Sequence, residues 1–223
     1  MVREFIATAM RETADQVCRD HYHSISQEAQ ITSRIAQALE SSMQQYEFLG
    51  NRVEIVVQDL PDRGPRSLES RLGADLYVGI RVVRDGRLEM SKGLFAQSKL
   101  GTHLSKDGRS KLVDQCEKMR KRSPASYVWV YTPDGVRVIT VQDVVRRDSR
   151  NLLGGRRLDE AFSETFACHE GDPGIKLPDV QPDALPLRTA VGLMLERMDA
   201  PNGFAARTLI GMDLISQPDE VQS

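Results

Sequence analysis

Apolar and polar positions alternate along the chain with periods that mark out most of its elements. Residues 3–20 mix Phe5, Ile6, Ala9, Met10 and Val17 with charges, the pattern of an amphipathic helix. Its apolar side would cap a domain or meet a second copy. Over 26–46, Ile31, Ile35, Leu39 and Met43 recur at intervals of four, one helical stripe behind a candidate N-cap at Ser26. Gly50 and Asn51 end that helix; RVEIVVQDL (52–60) reads as a strand, and PDRGPRS (61–67) as a loop. Residues 74–83 alternate strictly, with Leu76, Val78, Ile80 and Val82 on one face and Asp75, Tyr77, Gly79 and Arg81 on the other. Asp85-Gly86 is a strong hairpin-turn signal, and 88–100 is the returning strand.

A further helix is expected over about 109–121, with Leu112, Val113, Cys116 and Met119 on its apolar face and Pro124 ending it. SYVWVY (126–131) reads as a buried strand that PDG turns into VRVITV, and 143–145 lead into a helix. Beyond Arg146 the pattern weakens: RRDSRNLLGGRR is basic and loop-like, GDPGIKLPDVQPDALP is irregular, and 189–198 and 205–215 are short helices. The order helix, strand, hairpin, helix, strand, strand predicts a mixed α/β (α+β) domain. It divides into an N-terminal helix (1–24), a core (25–145) and a C-terminal extension (146–223) packed on the core or used for oligomerisation.

Composition narrows the function classes. With 223 residues, 40% of them hydrophobic and only one tryptophan, the chain can bury an aliphatic core. A net charge of −2 removes bulk positive charge as a basis for nucleic-acid binding and leaves a local basic groove as the way to achieve it. The three cysteines form no CxxC pair, which points to reduced thiols rather than zinc or redox chemistry. The four histidines show no metal spacing; His21 and His23, two apart, suit neither one helix face nor a tight chelate. The N-terminus lacks a signal-peptide run, and no stretch approaches the ~20 apolar residues of a membrane span. The expectation is a soluble, cytoplasmic protein with no membrane partner.

Polar residues at apolar places carry the candidate chemistry. Gln97 and Lys99 interrupt the apolar strand GLFAQSKL two residues apart, so they share a face. Asp75 opens the partner strand. At ~100° per residue, Glu28 projects to the centre of the Ile31–Met43 stripe, whereas Glu40 lies about 120° away. A carboxylate on that face needs a partner, unless the helix end reaches solvent, where it suits the helix dipole. One carboxylate, an amide oxygen, a second carboxylate and an ammonium fit metal-assisted phosphodiester hydrolysis. Asp75, the Gln97 oxygen and the Ser98 carbonyl would hold a hard cation such as Mg²⁺, or Mn²⁺, with Glu28 directly or through water. Lys99 would orient a water and offset developing negative charge.

These residues also carry a resemblance. GADLYVGI followed by GLFAQSKL resembles the PD-(D/E)xK, or restriction-endonuclease-like, nuclease superfamily, most closely its Mrr-type and defence-associated branches with a D…QxK core. SQEAQITSRI is similar to the helix bearing that superfamily's first glutamate. The resemblance covers about 25–142 and implies a central mixed sheet of four to five strands flanked by helices. It implies a Mg²⁺-dependent endonuclease with catalytic Glu28, Asp75, Gln97 and Lys99, metal ligands Asp75, Gln97 and Glu28, and DNA ahead of RNA as substrate in a prokaryotic defence or restriction setting. It also implies a homo-oligomer or a subunit of a defence complex. Glu69, just upstream of Asp75, and Gln115, on the following helix, are secondary candidates. Gln97 stands where Glu or Asp is commoner. That departure motivates an alternative: a catalytically degenerate nuclease-like fold acting as a nucleic-acid-binding or assembly module. A small-molecule hydrolase or transferase on another α/β scaffold is a third.

Residues 106–122 hold seven basic and three acidic side chains. Arg109, Lys111, Lys118, Arg120, Lys121 and Arg122 are candidate phosphate contacts, although those at the helix end also complement its dipole. The site carries one geometric condition. If Asp85-Gly86 is a two-residue turn, Asp75 faces Ala96 and not Gln97. An irregularity between Arg84 and Leu94, with Gly93 as a natural place, is therefore expected.

Overall fold

The computed structural model describes residues 2–25, 27–43, 47–48, 50–60, 67–147, 150–152, 154–167, 169–179 and 186–198. Ser26, most of the 61–67 loop and the expected helix over 205–215 lie outside the described residues. Helices α1 (Val2–His21) and α2 (Glu28–Met43) lead into strands β1 (Glu47–Phe48) and β2 (Asn51–Asp59). The short α3 (Leu68–Leu72), the hairpin β3 (Leu76–Arg84) and β4 (Arg87–Leu100), and α4 (Lys106–Arg122) follow. The chain continues through β5 (Ser126–Thr132), β6 (Gly135–Thr140), α5 (Val141–Arg146), β7 (Arg156–Arg157) and α6 (Leu158–Phe166).

The strands form one mixed sheet in sequence order, β1 to β7. The sequence predicts four to five strands. β2 to β6 are those five, and the two-residue β1 and β7 extend the sheet to seven. Every pairing is antiparallel except β4 with β5, which run parallel because α4 carries the chain back across the sheet. The β3–β4 turn is the expected two-residue one: Asp85 and Gly86 both have positive φ, 48° and 75°, as the twist of a tight hairpin requires.

The required irregularity is present. Val83 pairs with Leu88 but Val82 pairs with Met90, so Glu89 is an extra residue on β4. From there on Leu76 faces Ala96, and the same register puts Asp75 opposite Gln97. The bulge lies inside the expected interval but not at Gly93, which pairs regularly with Gly79. Gly93 is needed for another reason. A Cβ there would lie 2.0 Å from the Ile175 carbonyl oxygen of the segment crossing β4.

Two helical layers cover the sheet. On one side α1, α2 and α6 bury Ile6, Met10, Ala14, Ile31, Ile35, Leu39, Phe162 and Phe166 against Val57, Leu76, Val78 and Trp129. Ile31, Ile35 and Leu39 of the α2 stripe are therefore core, each such side chain contributing about 1.5–3 kcal/mol. On the other side α4 and α5 cover Phe95, Val128 and Val130 with Leu112, Cys116, Met119, Val141 and Val144, and the Tyr77 hydroxyl donates to the Ile175 carbonyl at 2.8 Å. Cys18 and Cys116 are free and buried, and burial pushes both thiols up to about 12, away from reactive thiolate.

One compact unit runs from Met1 to Lys176 and takes in α1, β7 and α6; the second begins at Leu177. Helix α1 is a core element, its apolar side closed by α2 and α6. Arg11 pairs with Asp15 and Asp159 at 3.1 Å each, and Asp15 accepts the Val136 amide at 3.0 Å, so α1 is tied to α6 and to β6. The sequence reading leaves 158–166 without a helix because its apolar residues follow a basic stretch. Phe162 and Phe166 nevertheless make it a core helix. In the second unit α7 (Leu187–Met198) matches the expected helix over 189–198, with Ala190, Val191, Met194 and Leu195 buried.

Candidate active site

Asp75 is placed by a chain of local constraints. Ser67 caps α3 by accepting the Ser70 amide at 3.2 Å. Gly73 ends that helix in the left-handed region, φ 78°, its amide donating to the Glu69 carbonyl at 2.7 Å. A Cβ on Gly73 would lie 2.4 Å from the Gln115 carbonyl oxygen, so only glycine lets α3 approach α4 this closely. Asp75 then enters the sheet. Its amide donates to the Ala96 carbonyl at 2.9 Å, and its carbonyl accepts the Leu60 amide at 2.7 Å.

The Asp75 carboxylate meets β4 through one oxygen. Oδ2 accepts Gln97 Nε2 at 2.5 Å, the Ser98 amide at 2.8 Å and the Ser98 hydroxyl. A carboxylate only accepts, so the Gln97 amide must turn its nitrogen this way. Gln97 Oε1 then points elsewhere, buried and without a hydrogen-bond partner in a side chain only 1% exposed. Burial raises the Asp75 carboxyl above the usual carboxylate range, while the Ser98 hydrogen bonds, the Lys99 charge and Gln97 pull it back.

Glu28 and Lys99 close the other side. Lys99 Nζ lies 2.8 Å from Glu28 Oε2, and the Leu100 amide donates to Glu28 Oε1 at 3.3 Å. The Lys99 side chain is 13% exposed and that of Glu28 38%, so the pair sits at the mouth of the site. Glu28 thus starts the apolar stripe and uses its first-turn position to reach over the end of β4.

The four catalytic candidates and the two secondary ones line one cleft of about 680 Å³, whereas the six basic candidates of α4 do not. Glu28 comes from α2, Asp75 from the entry to β3, Gln97 and Lys99 from β4, Glu69 from α3 and Gln115 from α4. Gln27, Ala29, Thr32, Ser33, Asp59 and Leu60 complete the wall, and of these Asp59 and Ser33 form a polar pair that the sequence reading does not single out. The Ser33 hydroxyl donates to Asp59 Oδ2, and Asp59 Oδ1 is buried without a hydrogen-bond partner. The signal was available: Asp59 continues the buried 53–55–57 face of β2, where an apolar residue belongs.

The basic residues of α4 divide. Arg109 Nη2 lies 2.5 Å from the Val144 and Arg147 carbonyls, capping α5. Lys118 donates to the Ser70 carbonyl at 2.8 Å, and Arg120 pairs with Glu117 at 2.7 Å on its own helix. Lys111 and Lys121 are exposed and Arg122 half-buried.

Two oxygens of this donor set are of the kind a hard cation takes. Asp75 is a carboxylate raised by burial, Gln97 Oε1 is an orphaned buried oxygen, and both residues line the same cleft. Among the described residues no group of three or more His, Cys, Asp or Glu is placed to hold a metal, so neutral oxygens would complete such a shell. Compared with models of known protein families and with curated proteins, the chain finds no match.

Proposed function

We propose that the chain is a metal-dependent nuclease, hydrolysing phosphodiester bonds in the cleft that holds Glu28, Asp75, Gln97 and Lys99, with DNA as its substrate. One observation carries this reading. Residues selected for that chemistry from positions 28 to 115 of the sequence line a single cleft, with Asp75 and Gln97 in contact at 2.5 Å. The order of a carboxylate-bearing helix, a D…QxK hairpin, and a helix returning to a parallel strand also supports placing the core in the PD-(D/E)xK superfamily.

Asp75, Gln97 Oε1 and the Ser98 carbonyl would hold Mg²⁺, which when bound lowers the pKa of a coordinated water and polarises the phosphate. Lys99 is the one ammonium among the cleft-lining residues. It places positive charge where the phosphate gains negative charge, and orients the water whose oxygen bonds to phosphorus as the P–O bond to the leaving sugar oxygen breaks. Glu28 holds Lys99 aimed into the cleft before substrate arrives. Lys111 and Lys121, exposed on α4 outside the cleft lining, would supply phosphate contacts. A role in prokaryotic defence, as an oligomer or within a larger assembly, follows from the resemblance.

A second reading, a degenerate nuclease-like fold that binds nucleic acid without cutting, is favoured by Glu28 being engaged with Lys99 and by the neutral Gln97 beside Asp75. Purified protein is incubated with plasmid, linear duplex DNA, single-stranded DNA and RNA, with Mg²⁺, with Mn²⁺ and with chelator. Cation-dependent cutting of DNA supports the first reading. Binding without cutting under every condition supports the second.

A further inference from the structure

Beside Asp75 lies a string of three buried hydroxyls, of which Thr32 also borders the cleft. Ser98 donates to Asp75 Oδ2, Thr32 Oγ1 lies 3.0 Å from Ser98 Oγ, and Tyr131 OH lies 3.0 Å from Thr32 Oγ1. Their exposures are 1%, 3% and 0%. We propose that Ser98 is a positioning residue for the cleft, the head of a Tyr131–Thr32–Ser98 hydroxyl chain that fixes the Asp75 carboxylate through Oδ2. The inference rests on the cleft being the reactive site.

The protons run in a consistent direction. Asp75 accepts only, so Ser98 must spend its proton on Oδ2. Ser98 Oγ is then free to accept from Thr32. Thr32 has one proton and two acceptors in reach, Ser98 Oγ and the Glu28 carbonyl at 2.9 Å, so it can accept only from Tyr131. A single threonine thus bears on Asp75 and on the helical turn that carries Glu28. Alanine, valine and phenylalanine would fill these three places without any need for hydrogen bonds, and their core neighbours are apolar. The hydroxyls instead converge on Asp75 Oδ2, together with the Ser98 amide and Gln97 Nε2. All the side-chain hydrogen bonds of Asp75 fall on that one oxygen, leaving Oδ1 for whatever occupies the cleft. A ligand carboxylate held this way keeps one orientation, and loss of such an outer partner typically weakens metal affinity about 10–100-fold.

The test measures Mn²⁺ binding by calorimetry in the wild type and in Ser98→Ala, Ser98→Thr, Thr32→Val and Tyr131→Phe. Ser98→Ala is expected to bind about tenfold or more weakly, Thr32→Val to lose less and Tyr131→Phe least, with Ser98→Thr near wild type. Wild-type affinity in Ser98→Ala overturns the inference, as do equal losses in all the variants. A second arm needs no cation: crystal structures grown with chelator read the Asp75 rotamer. The wild type is expected to keep one and Ser98→Ala to show more than one; a single unchanged rotamer in Ser98→Ala overturns the inference. If Ser98→Ala does not fold, Thr32→Val carries both readouts. A wild type that takes up no Mn²⁺ defeats the metal-dependent nuclease, while the rotamer arm still decides the hydroxyl chain.

Discussion

Gln97 donates its Nε2 to Asp75 Oδ2 at 2.5 Å across the β3–β4 pairing, and in doing so turns a buried oxygen toward no partner. The contact depends on Glu89, the extra residue 14 positions from the Asp75 end of the hairpin. It sets a carboxylate and an amide face to face where two carboxylates would repel.

Gln97→Glu tests that relationship. With chelator present, two carboxylates in contact are expected to lower stability by about 1–3 kcal/mol. Mg²⁺ should return the loss and bind more tightly than in the wild type, because a charged ligand replaces a neutral one. Thermal unfolding with chelator and with saturating Mg²⁺ reads both effects. A variant as stable as the wild type under chelator would mean the two side chains are not in contact.

Asp75→Asn tests the buried carboxyl. Its folded pKa is raised, so the folded state holds the proton more tightly than the unfolded one. The stability this contributes is fully present below the ordinary carboxylate pKa and is lost as pH rises through the raised value. In chelator, Asp75→Asn is therefore expected to unfold at a higher temperature than the wild type at pH 7–8, the difference shrinking as pH falls through that window. A difference that grows toward low pH would carry the wrong sign.

The basic residues of α4 are expected to separate into two groups. Arg109→Ala removes the cap on α5 and should cost about 1–3 kcal/mol of stability. Lys121→Ala should leave stability unchanged, weaken DNA binding and reduce the dependence of log affinity on log salt by about one. Unfolding curves and salt titrations of binding measure the two; loss of DNA affinity in Arg109→Ala at unchanged stability would reverse its assignment.

Much of this was legible in the sequence because two periodicities did the sorting. Strict alternation over 74–83 and the Asp85-Gly86 turn define the hairpin, and the even spacing of 22 between Asp75 and Gln97 demands a bulge. Its position does not follow from the sequence: a bulge needs only one extra residue, and Glu89, exposed between Leu88 and Met90, leaves no mark of its own. The stripe on α2 made Glu28 visible as a polar residue among core positions. Asp59 falls just before a proline loop, where an aspartate raises no question. The roles of Arg109 and Lys118 depend on carbonyls of α5 and α3, distant in sequence, which no local pattern encodes. Helix α6 was hidden for a related reason: its core role comes from packing against α1 and β6.

Lys99 is the residue on which the nuclease reading turns, and Lys99→Ala with plasmid DNA and Mg²⁺ measures it most directly. The variant should fold as the wild type does by circular dichroism and thermal unfolding, and cut about 10²–10³-fold more slowly. A folded Lys99→Ala protein that cuts at the wild-type rate would contradict the assignment of this cleft as the place where the phosphodiester bond breaks.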